Sequence, residues 1–175
     1  MLFNSIQSNN EVASFERLFA QQIERADRIY TDLVCKYCTP FFTHGDLDAI
    51  VLLYKMLGDL PFNSARVVIT TYSITEKFVN QIAMFKRAGL INHVRLITSS
   101  NLKTLQPNLV GHVNQVFDEV KLCEVHAKVI TVSNSDTNIT VISSLNLTRN
   151  NKPEAGFISV LPQHFIEAEA FYNSL

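Results

Sequence analysis

The spacing of hydrophobic residues predicts that helices and strands alternate along this chain. In residues 11–26 the apolar side chains recur every three or four positions, which predicts a helix with one buried face. Residues 28–34 alternate less regularly and favour a strand. Asp46 is a suitable N-cap for a second helix, which ends at Gly58. The N-terminal third is therefore predicted to hold two helices with a strand between them.

The middle of the chain carries stronger local signals. Residues 66–72 contain an unbroken run of three apolar β-branched side chains, which is typical of a strand covered on both faces. Thr75 can cap the helix that follows, and Gly89 can close it. A further strand at 94–98 completes a strand, helix and strand within about thirty residues, the length of a crossover unit with parallel strands.

The C-terminal half is predicted to centre on a hairpin. Polar residues from Ser133 to Asn138, with Asn134 and Asp136 as turn formers, separate two apolar strands. The other predicted elements are a loop at 99–107, a short helix at 109–117, a strand at 120–125, a strand at 156–161, and a helix at 163–174 that buries Phe165, Ile166, Ala170 and Phe171.

This order of elements predicts an α/β protein with a mixed, largely parallel sheet flanked by helices. The length of 175 residues is that of one domain. We expect a single domain over residues 1–175, with a helical and strand-containing part at 1–63, a motif-bearing core at 64–161 and a C-terminal helix at 162–175.

Chemistry concentrates around the predicted hairpin. Alternation places His126 and Lys128 on one face of a strand, and it does the same for Ser144 and Asn146 after the turn. The hairpin can therefore bring an imidazole, an ammonium, a hydroxyl and an amide to one end of a sheet. A reaction at a phosphate ester needs such a nucleophile, cation and pair of neutral donors.

These residues resemble the motif of the phospholipase D-like superfamily, which is His-x-Lys, a hairpin, and then Gly-Ser-x-Asn. The resemblance implies that His126 attacks phosphorus and forms a phosphohistidine, while Lys128, Ser144 and Asn146 hold the non-bridging oxygens. It implies that Glu154 orients His126, that a second histidine protonates the leaving group, and that neither a metal nor another cofactor takes part.

The sequence departs from the family pattern at three points. Ser133 replaces the family's aspartate, Ser143 replaces the glycine before the serine, and the hairpin is three residues longer than the common spacing. The combination Ser-Ser-Leu-Asn-Leu followed by Glu-x-x-Phe-Ile looks like a branch found in phages and bacterial mobile elements. The departures leave two hypotheses, an active enzyme and an inactive binding module.

The chain contains a single His-x-Lys motif, so the second histidine must come from elsewhere. A two-fold homodimer that faces both copies of His126 across one cleft is the simplest arrangement, because isologous dimers are the commonest oligomers. His44 is the alternative proton donor within one chain, since it precedes the predicted N-cap of the second helix.

Composition limits the partners and the compartment. The net charge is −1, so nucleic acid would have to bind a local cluster, for which Lys121, Lys128, Arg149 and Lys152 are candidates. No apolar stretch is long enough to cross a membrane, and the first ten residues do not resemble a signal peptide. Three cysteines cannot all pair, which favours a cytoplasmic protein.

Two further features have structural rather than catalytic interpretations. Cys35 and Cys38 have the spacing of half a zinc site, but a second pair of ligands is lacking in the sequence, so two partly buried thiols are expected. Phe41 and Phe42 are expected to belong to the core or to a dimer surface.

The leading hypothesis is a metal-independent phosphodiesterase that cleaves DNA or RNA. The small size, the single motif and the phage-like branch favour a nucleic acid over a lipid. The alternative is a catalytically inactive module that binds nucleic acid or protein.

Overall fold

Seven strands form one mixed sheet in the computed structural model, which describes residues 2–58, 60, 65–145 and 152–175. The strands are β1 (Cys38–Thr43), β2 (Ala65–Thr71), β3 (Ile91–Ser99), β4 (Glu119–Cys123), β5 (Lys128–Ser133), β6 (Asn138–Ser143) and β7 (Glu154–Ser159). The helices are α1 (Leu2–Leu18), α2 (Ala20–Lys36), α3 (Ala49–Gly58), α4 (Glu76–Arg87), α5 (Leu102–Leu105), α6 (Pro107–Val116) and α7 (Pro162–Ser174). Across the sheet the order is β1-β7-β6-β5-β2-β3-β4.

The predicted α/β architecture with a mixed sheet and flanking helices is confirmed, but the sheet is less parallel than predicted. Among the described strands, the pairs β2–β3 and β3–β4 are parallel. The other four pairings are antiparallel. The crossover pattern correctly predicted the parallel neighbours. The hairpin β5–β6 could add only an antiparallel pair, and β1 returns antiparallel to β7 at the sheet edge.

The strand predicted at 28–34 is wrong, because this segment is the second half of α2. Among the described side chains of this part of α2, those of Ala26, Ile29, Tyr30 and Leu33 are buried. Their spacing of three, four and seven positions is that of a helix, and it continues the apolar face of the preceding residues. The helix predicted at 11–26 is present as parts of α1 and α2, which meet at Phe19.

The segment after α2 also differs from the expectation. The sequence did not predict β1, which alternates buried and exposed residues and pairs with β7. The carboxylate of Asp46 does not cap α3: it accepts hydrogen bonds from the Thr43 hydroxyl and from the backbone N–H of His44, 3.0 Å away. The first turn of α3 instead closes on the Asp48 carbonyl, which accepts from Val51 N at 3.0 Å.

Local signals in the middle of the chain are confirmed. The Thr75 hydroxyl accepts the N–H of Phe78 at the start of α4, 3.3 Å away. Gly89 adopts a φ of 76° just beyond the same helix, a conformation that glycine allows. In the hairpin turn, the Asn134 side chain accepts from the N–H groups of Asp136 and Thr137 at 2.9 and 2.8 Å. Within the loop predicted at 99–107, α5 forms one short helical turn.

The two faces of the sheet are covered unequally. The face that carries Phe41, Val67 and Leu96 packs against the larger core, which includes side chains of α1 to α4 and α6. The opposite face packs against α7 through a smaller cluster that contains Val68 and Val129. The buried stripe predicted for this helix is wrong, since Ile166 and Ala170 are exposed and Phe165 and Phe171 are only partly buried. The buried residues of α7 are Ala168 and Tyr172. On this second face, part of the sheet beside β1 stays exposed.

Candidate phosphodiester site at one end of the sheet

Several strand ends that bear polar side chains meet at one end of the sheet. Register pairs Lys128 with Ser143, Ser143 with Gly156, and Thr43 with Glu154. At the same end, β2 finishes at Thr71 and continues into Tyr72. Neighbouring strands lie about 4.8 Å apart, so the ends of β7, β6, β5 and β2 form a row about 14 Å long. This row is wide enough for a phosphate and the groups on either side of it.

His126 and Lys128 lie in this row, although His126 precedes β5 and strand alternation does not place it. The His126 imidazole is exposed and stacks on the ring of Tyr72, with centroids 4.6 Å apart and planes inclined by 20°. The Lys128 ammonium donates to the His126 carbonyl at 2.9 Å. This contact uses one of its three N–H donors and keeps the cation beside the backbone of His126.

Ser144 and Glu154 form the other half of the row. The Ser144 hydroxyl donates to the Glu154 carboxylate and accepts the backbone N–H of Ala155 at 3.0 Å. The backbone N–H of Ser144 donates to the Ala155 carbonyl at 2.9 Å. The hydroxyl therefore has a defined direction at the end of β6. The orienting role towards His126 that the resemblance implies for Glu154 stays a prediction.

The structure does not place every predicted site residue. Asn146 lies outside the described residues, as does Arg149 of the predicted basic cluster. Lys121 lies in β4, at the far edge of the sheet from Ser144, so it does not join Lys128 in one patch. Of the predicted five, the described His126, Lys128, Ser144 and Glu154 share one end of the sheet.

His44 begins a turn at the same end of the sheet. It follows Thr43, the register partner of Glu154, and it is exposed. Hydrogen bonds from the Thr43 hydroxyl and the His44 backbone N–H lower the pKa of the Asp46 carboxyl, and Arg25, whose Nε is 3.7 Å from it, contributes further. These contacts hold the turn, although α3 begins only at Ala49 and His44 is not at a helix N-terminus.

Two of the departures from the family pattern have local counterparts in the structure. Ser143 pairs with Gly156, and a Cβ at Gly156 would lie 2.6 Å from the Ser143 Cβ. The missing side chain on β7 thus makes room for the serine on β6. Ser133 pairs with Arg66, whose guanidinium bonds the Glu169 carboxylate of α7 at 3.1 Å.

No cluster of histidine, cysteine and acidic side chains that could hold a metal ion occurs in the described part of the chain. Cys38 is a free, partly buried thiol, and the Cys35 side chain lies outside the description, so their pairing as metal ligands stays untested. No helix within the described ranges has the length and apolarity needed to cross a membrane.

Sequence reasoning missed Tyr72 and Asn101. The Asn101 amide donates to the Tyr72 hydroxyl at 3.3 Å, and this links the loop after β3 to the ring that stacks on His126. The position of Tyr72 directly after the buried strand β2 was a weak signal that its ring lies at the end of the sheet, near the site. The partner of that ring lies 54 positions further along the chain, so no local pattern could identify it.

Comparison with known proteins identifies the fold. No protein-family model matches the sequence, and no curated protein matches it. Among solved structures, the chain is similar to Nuc, a phospholipase D family member from Salmonella typhimurium, with a TM-score of 0.54 and 16% identity over 78% of this chain and 91% of Nuc. It is similar to polyphosphate kinase from Porphyromonas gingivalis, with a TM-score of 0.59 and 12% identity over 79% of this chain and 26% of the kinase.

A third similar structure is TrmBL2, described as an archaeal chromatin protein with a novel mode of DNA binding. Its TM-score is 0.51 at 10% identity, over 97% of this chain and 65% of that protein. The chain therefore has a fold like that of Nuc, a phospholipase D family member, so the resemblance predicted from the sequence is confirmed at the level of the fold, and the phage-like branch stays a prediction.

Proposed function

We propose that this protein is a metal-independent phosphodiesterase, and more narrowly a nuclease that cleaves DNA or RNA. The observation that carries the proposal is the row of His126, Lys128, Ser144 and Glu154 at one end of a phospholipase D-like sheet. A nucleophile, a cation and a hydroxyl stand on neighbouring strand ends there.

In the proposed reaction, an imidazole nitrogen of His126 attacks phosphorus, so an N–P bond forms as the bond to the leaving oxygen breaks. Lys128 stabilises the charge that develops on the non-bridging oxygens, and the Ser144 hydroxyl does so by turning its proton from the Glu154 carboxylate to one of these oxygens. Asn146 is proposed to donate to them as well. A second group, which we call the second acid, gives the leaving oxygen its proton. Water then attacks phosphorus and gives a proton to the group that protonated the leaving oxygen, the N–P bond breaks, and both that group and His126 are restored.

Cleavage of plasmid DNA, single-stranded DNA and RNA in the presence of EDTA tests this proposal. The wild-type protein is expected to cleave at least one of these with no loss upon chelation. His126→Ala is expected to lower turnover by about 10³-fold or more, because the nucleophile itself is removed. His112→Ala, a substitution in α6 away from the site, is the matched control. Complete loss of activity in EDTA would contradict the proposal.

We further propose that the second acid is His126 of a second copy in a homodimer. The exposed face of β1, β7 and β6 beside the site supports this arrangement. Register places Phe42 beside Ala155, and Pro40 beside Phe157, which in turn pairs with Ile142. Phe42 is 68% exposed and Ile142 39% exposed, and both are apolar. A second copy seated here would cover this patch next to the incomplete site.

Mixed dimers distinguish the two candidate acids. A dimer of one wild-type and one His126→Ala subunit is expected to be inactive if the two imidazoles serve one shared site. If His44 is the acid, the same mixed dimer keeps about half of the activity, and His44→Ala removes it. Tandem affinity purification with two different tags gives the mixed dimer free of both parents.

The alternative function is a catalytically inactive module that binds nucleic acid. The similarity in fold to TrmBL2 over 97% of this chain favours this second candidate. Nucleic-acid binding without cleavage, with the same affinity in wild type and His126→Ala, would support the module over the enzyme.

A further inference from the structure

Tyr72 follows the last residue of β2 and contacts His126, which lies just before the neighbouring strand β5. The two rings are nearly parallel at a centroid distance of 4.6 Å, and the tyrosine is 37% exposed. One face of the imidazole is therefore covered while its edge, where both nitrogens lie, stays accessible. Offset aromatic stacking of this kind favours one orientation of a ring that a coil segment would otherwise leave loosely held.

The backbone beneath this stack is fixed by a side chain. The Thr70 hydroxyl accepts the N–H of Val129 at 3.0 Å and lies 3.4 Å from the Val129 carbonyl, in a fully buried position. Thr70 comes two residues before Tyr72, and Val129 three residues after His126. The same contact thus sets the distance between the two segments that carry the stacked rings.

The far side of Tyr72 is held as well. Its hydroxyl accepts from the Asn101 amide at 3.3 Å. The Asn101 backbone is itself anchored, because its N–H donates to the Ser99 hydroxyl at 3.2 Å and its carbonyl accepts from Thr104 N at 3.1 Å. The Thr71 hydroxyl donates to the Ser73 carbonyl at 2.8 Å and fixes the turn that follows the strand. The ring is therefore supported on both sides.

We propose that Tyr72 is a positioning residue, which holds the His126 imidazole in the orientation needed for attack on phosphorus, and that Asn101 supports it. The inference rests on the proposed function, and it assigns to an aromatic ring the orienting task that the resemblance gives to Glu154. The stack between Tyr72 and His126 involves no atom of Glu154, so it holds the imidazole independently of that carboxylate.

Three variants test the proposal with bis(p-nitrophenyl) phosphate as substrate. Tyr72→Leu removes the ring, Tyr72→Phe keeps the ring and removes the hydroxyl, and Tyr37→Leu removes an exposed tyrosine at the opposite end of the sheet as a control. Tyr72→Leu is expected to lower kcat by about 10- to 100-fold at nearly unchanged KM, since a misplaced reacting group costs up to about 10² in rate. Tyr72→Phe loses only the hydrogen bond from Asn101 and is expected to lower kcat by no more than about threefold, because the stack remains.

Nuclear magnetic resonance gives a second measurement that does not need turnover. The ring current of Tyr72 shifts the carbon-bound protons of His126, so these resonances are expected to move in Tyr72→Leu and to stay in place in Tyr72→Phe. Unmoved resonances in Tyr72→Leu would overturn the stack itself. A raised KM with unchanged kcat would also overturn the proposal, because Tyr72 would then contact substrate. Moved resonances in a protein that cleaves no phosphodiester would refute the proposed function and leave the stack intact.

Discussion

Gly156 and Ser143 show how a single substitution in a motif depends on the residue across the strand pair. A Cβ at Gly156 would lie 2.6 Å from the Ile142 carbonyl oxygen, 2.6 Å from the Ser143 Cβ and 2.7 Å from the Phe41 ring. Two of these neighbours are backbone or close to it, so they cannot easily move. The serine that replaces the family's glycine is therefore tolerated because β7 supplies the glycine instead.

Gly156→Ala is expected to lower the free energy of unfolding by about 1–3 kcal/mol, as overpacking in a filled core does. It is also expected to reduce activity, because the β6 end that carries Ser144 must shift. Urea denaturation and steady-state kinetics measure the two effects. Gly111→Ala is the control: a Cβ there meets nothing within 4 Å, so stability should rise by about 0.5–1 kcal/mol in this helical position. Equal stability of both variants would contradict the packing argument.

Ser133 is a second position where the residue across the strand pair matters. In the family pattern this position is an aspartate, and here the opposite residue, Arg66, bonds Glu169 of the C-terminal helix. The guanidinium opposite Ser133 thus has an acidic partner on α7. Departures from a motif are consequently weak grounds for predicting a lost activity until the residues across the sheet are known.

At the scale of elements, Asp118 joins three segments that the sequence predicts separately. Its carboxylate accepts from the Lys86 ammonium of α4 at 2.8 and 2.9 Å and from the Val94 N–H of β3 at 2.8 Å. The same ammonium donates to the Val116 carbonyl at the end of α6, 2.9 Å away. Partial burial opposes ionisation, but these bonds together hold the pKa of Asp118 below its ordinary value of 3.8.

Asp118→Asn is therefore expected to destabilise the protein at neutral pH by on the order of 1 kcal/mol, since solvent screens a carboxylate that is about one-third exposed. Because the folded-state pKa is lower than the unfolded one, the contribution is complete above about pH 4 and is lost as the pH falls through the lowered folded value. Urea denaturation of both proteins at pH 7 and pH 3 measures the difference. It should shrink at the lower pH, and a constant difference would contradict the assignment. Asp136→Asn in the exposed hairpin turn serves as control.

The success of prediction differed between elements for a physical reason. The hairpin turn and α4 were predicted correctly because each is stabilised by a hydrogen bond between residues three positions apart. Asn134 makes this bond in the turn, and Thr75 makes it at the start of the helix. Residues 28–34 carry no such signal, and their helical spacing is clear only when Ala26 and the residues before it are considered with them. Their helix became definite only where Ile29 and Leu33 pack into the larger core.

Across the whole molecule, the two faces of the sheet are covered by helical layers of different size. Helices α1 to α4 and α6 pack on one face and form the larger core with it, and α7 covers part of the other face. Phe41 and Phe42 lie on opposite faces of β1. Phe41 packs into the larger core and is 2% exposed, whereas Phe42 is 68% exposed. The pair was expected to belong to the core or to a dimer surface. Phe41 lies in the core, and a place for Phe42 in a dimer interface stays a prediction.

Phe42→Asp is expected to convert the proposed dimer into a monomer and to lower phosphodiesterase activity by at least about 10-fold, because a charge at the centre of an apolar interface cannot be solvated there. Sedimentation velocity measures the oligomeric state. Leu18→Asp, which changes an equally exposed apolar residue of α1, should leave both properties unchanged. A wild-type protein that sediments as a monomer would contradict the shared site.

Local patterns in the sequence were enough to predict the β-branched strands, the capped helix between them and the hairpin, because each depends on contacts between near neighbours in the chain. The tertiary structure decided that residues 28–34 are helical, that β1 lies beside β7 some 120 residues away, and that Tyr72 stacks on His126. Such contacts between distant segments arise when layers pack and strands pair. Their energies depend on which surfaces meet, and the periodicity of one segment does not contain that information.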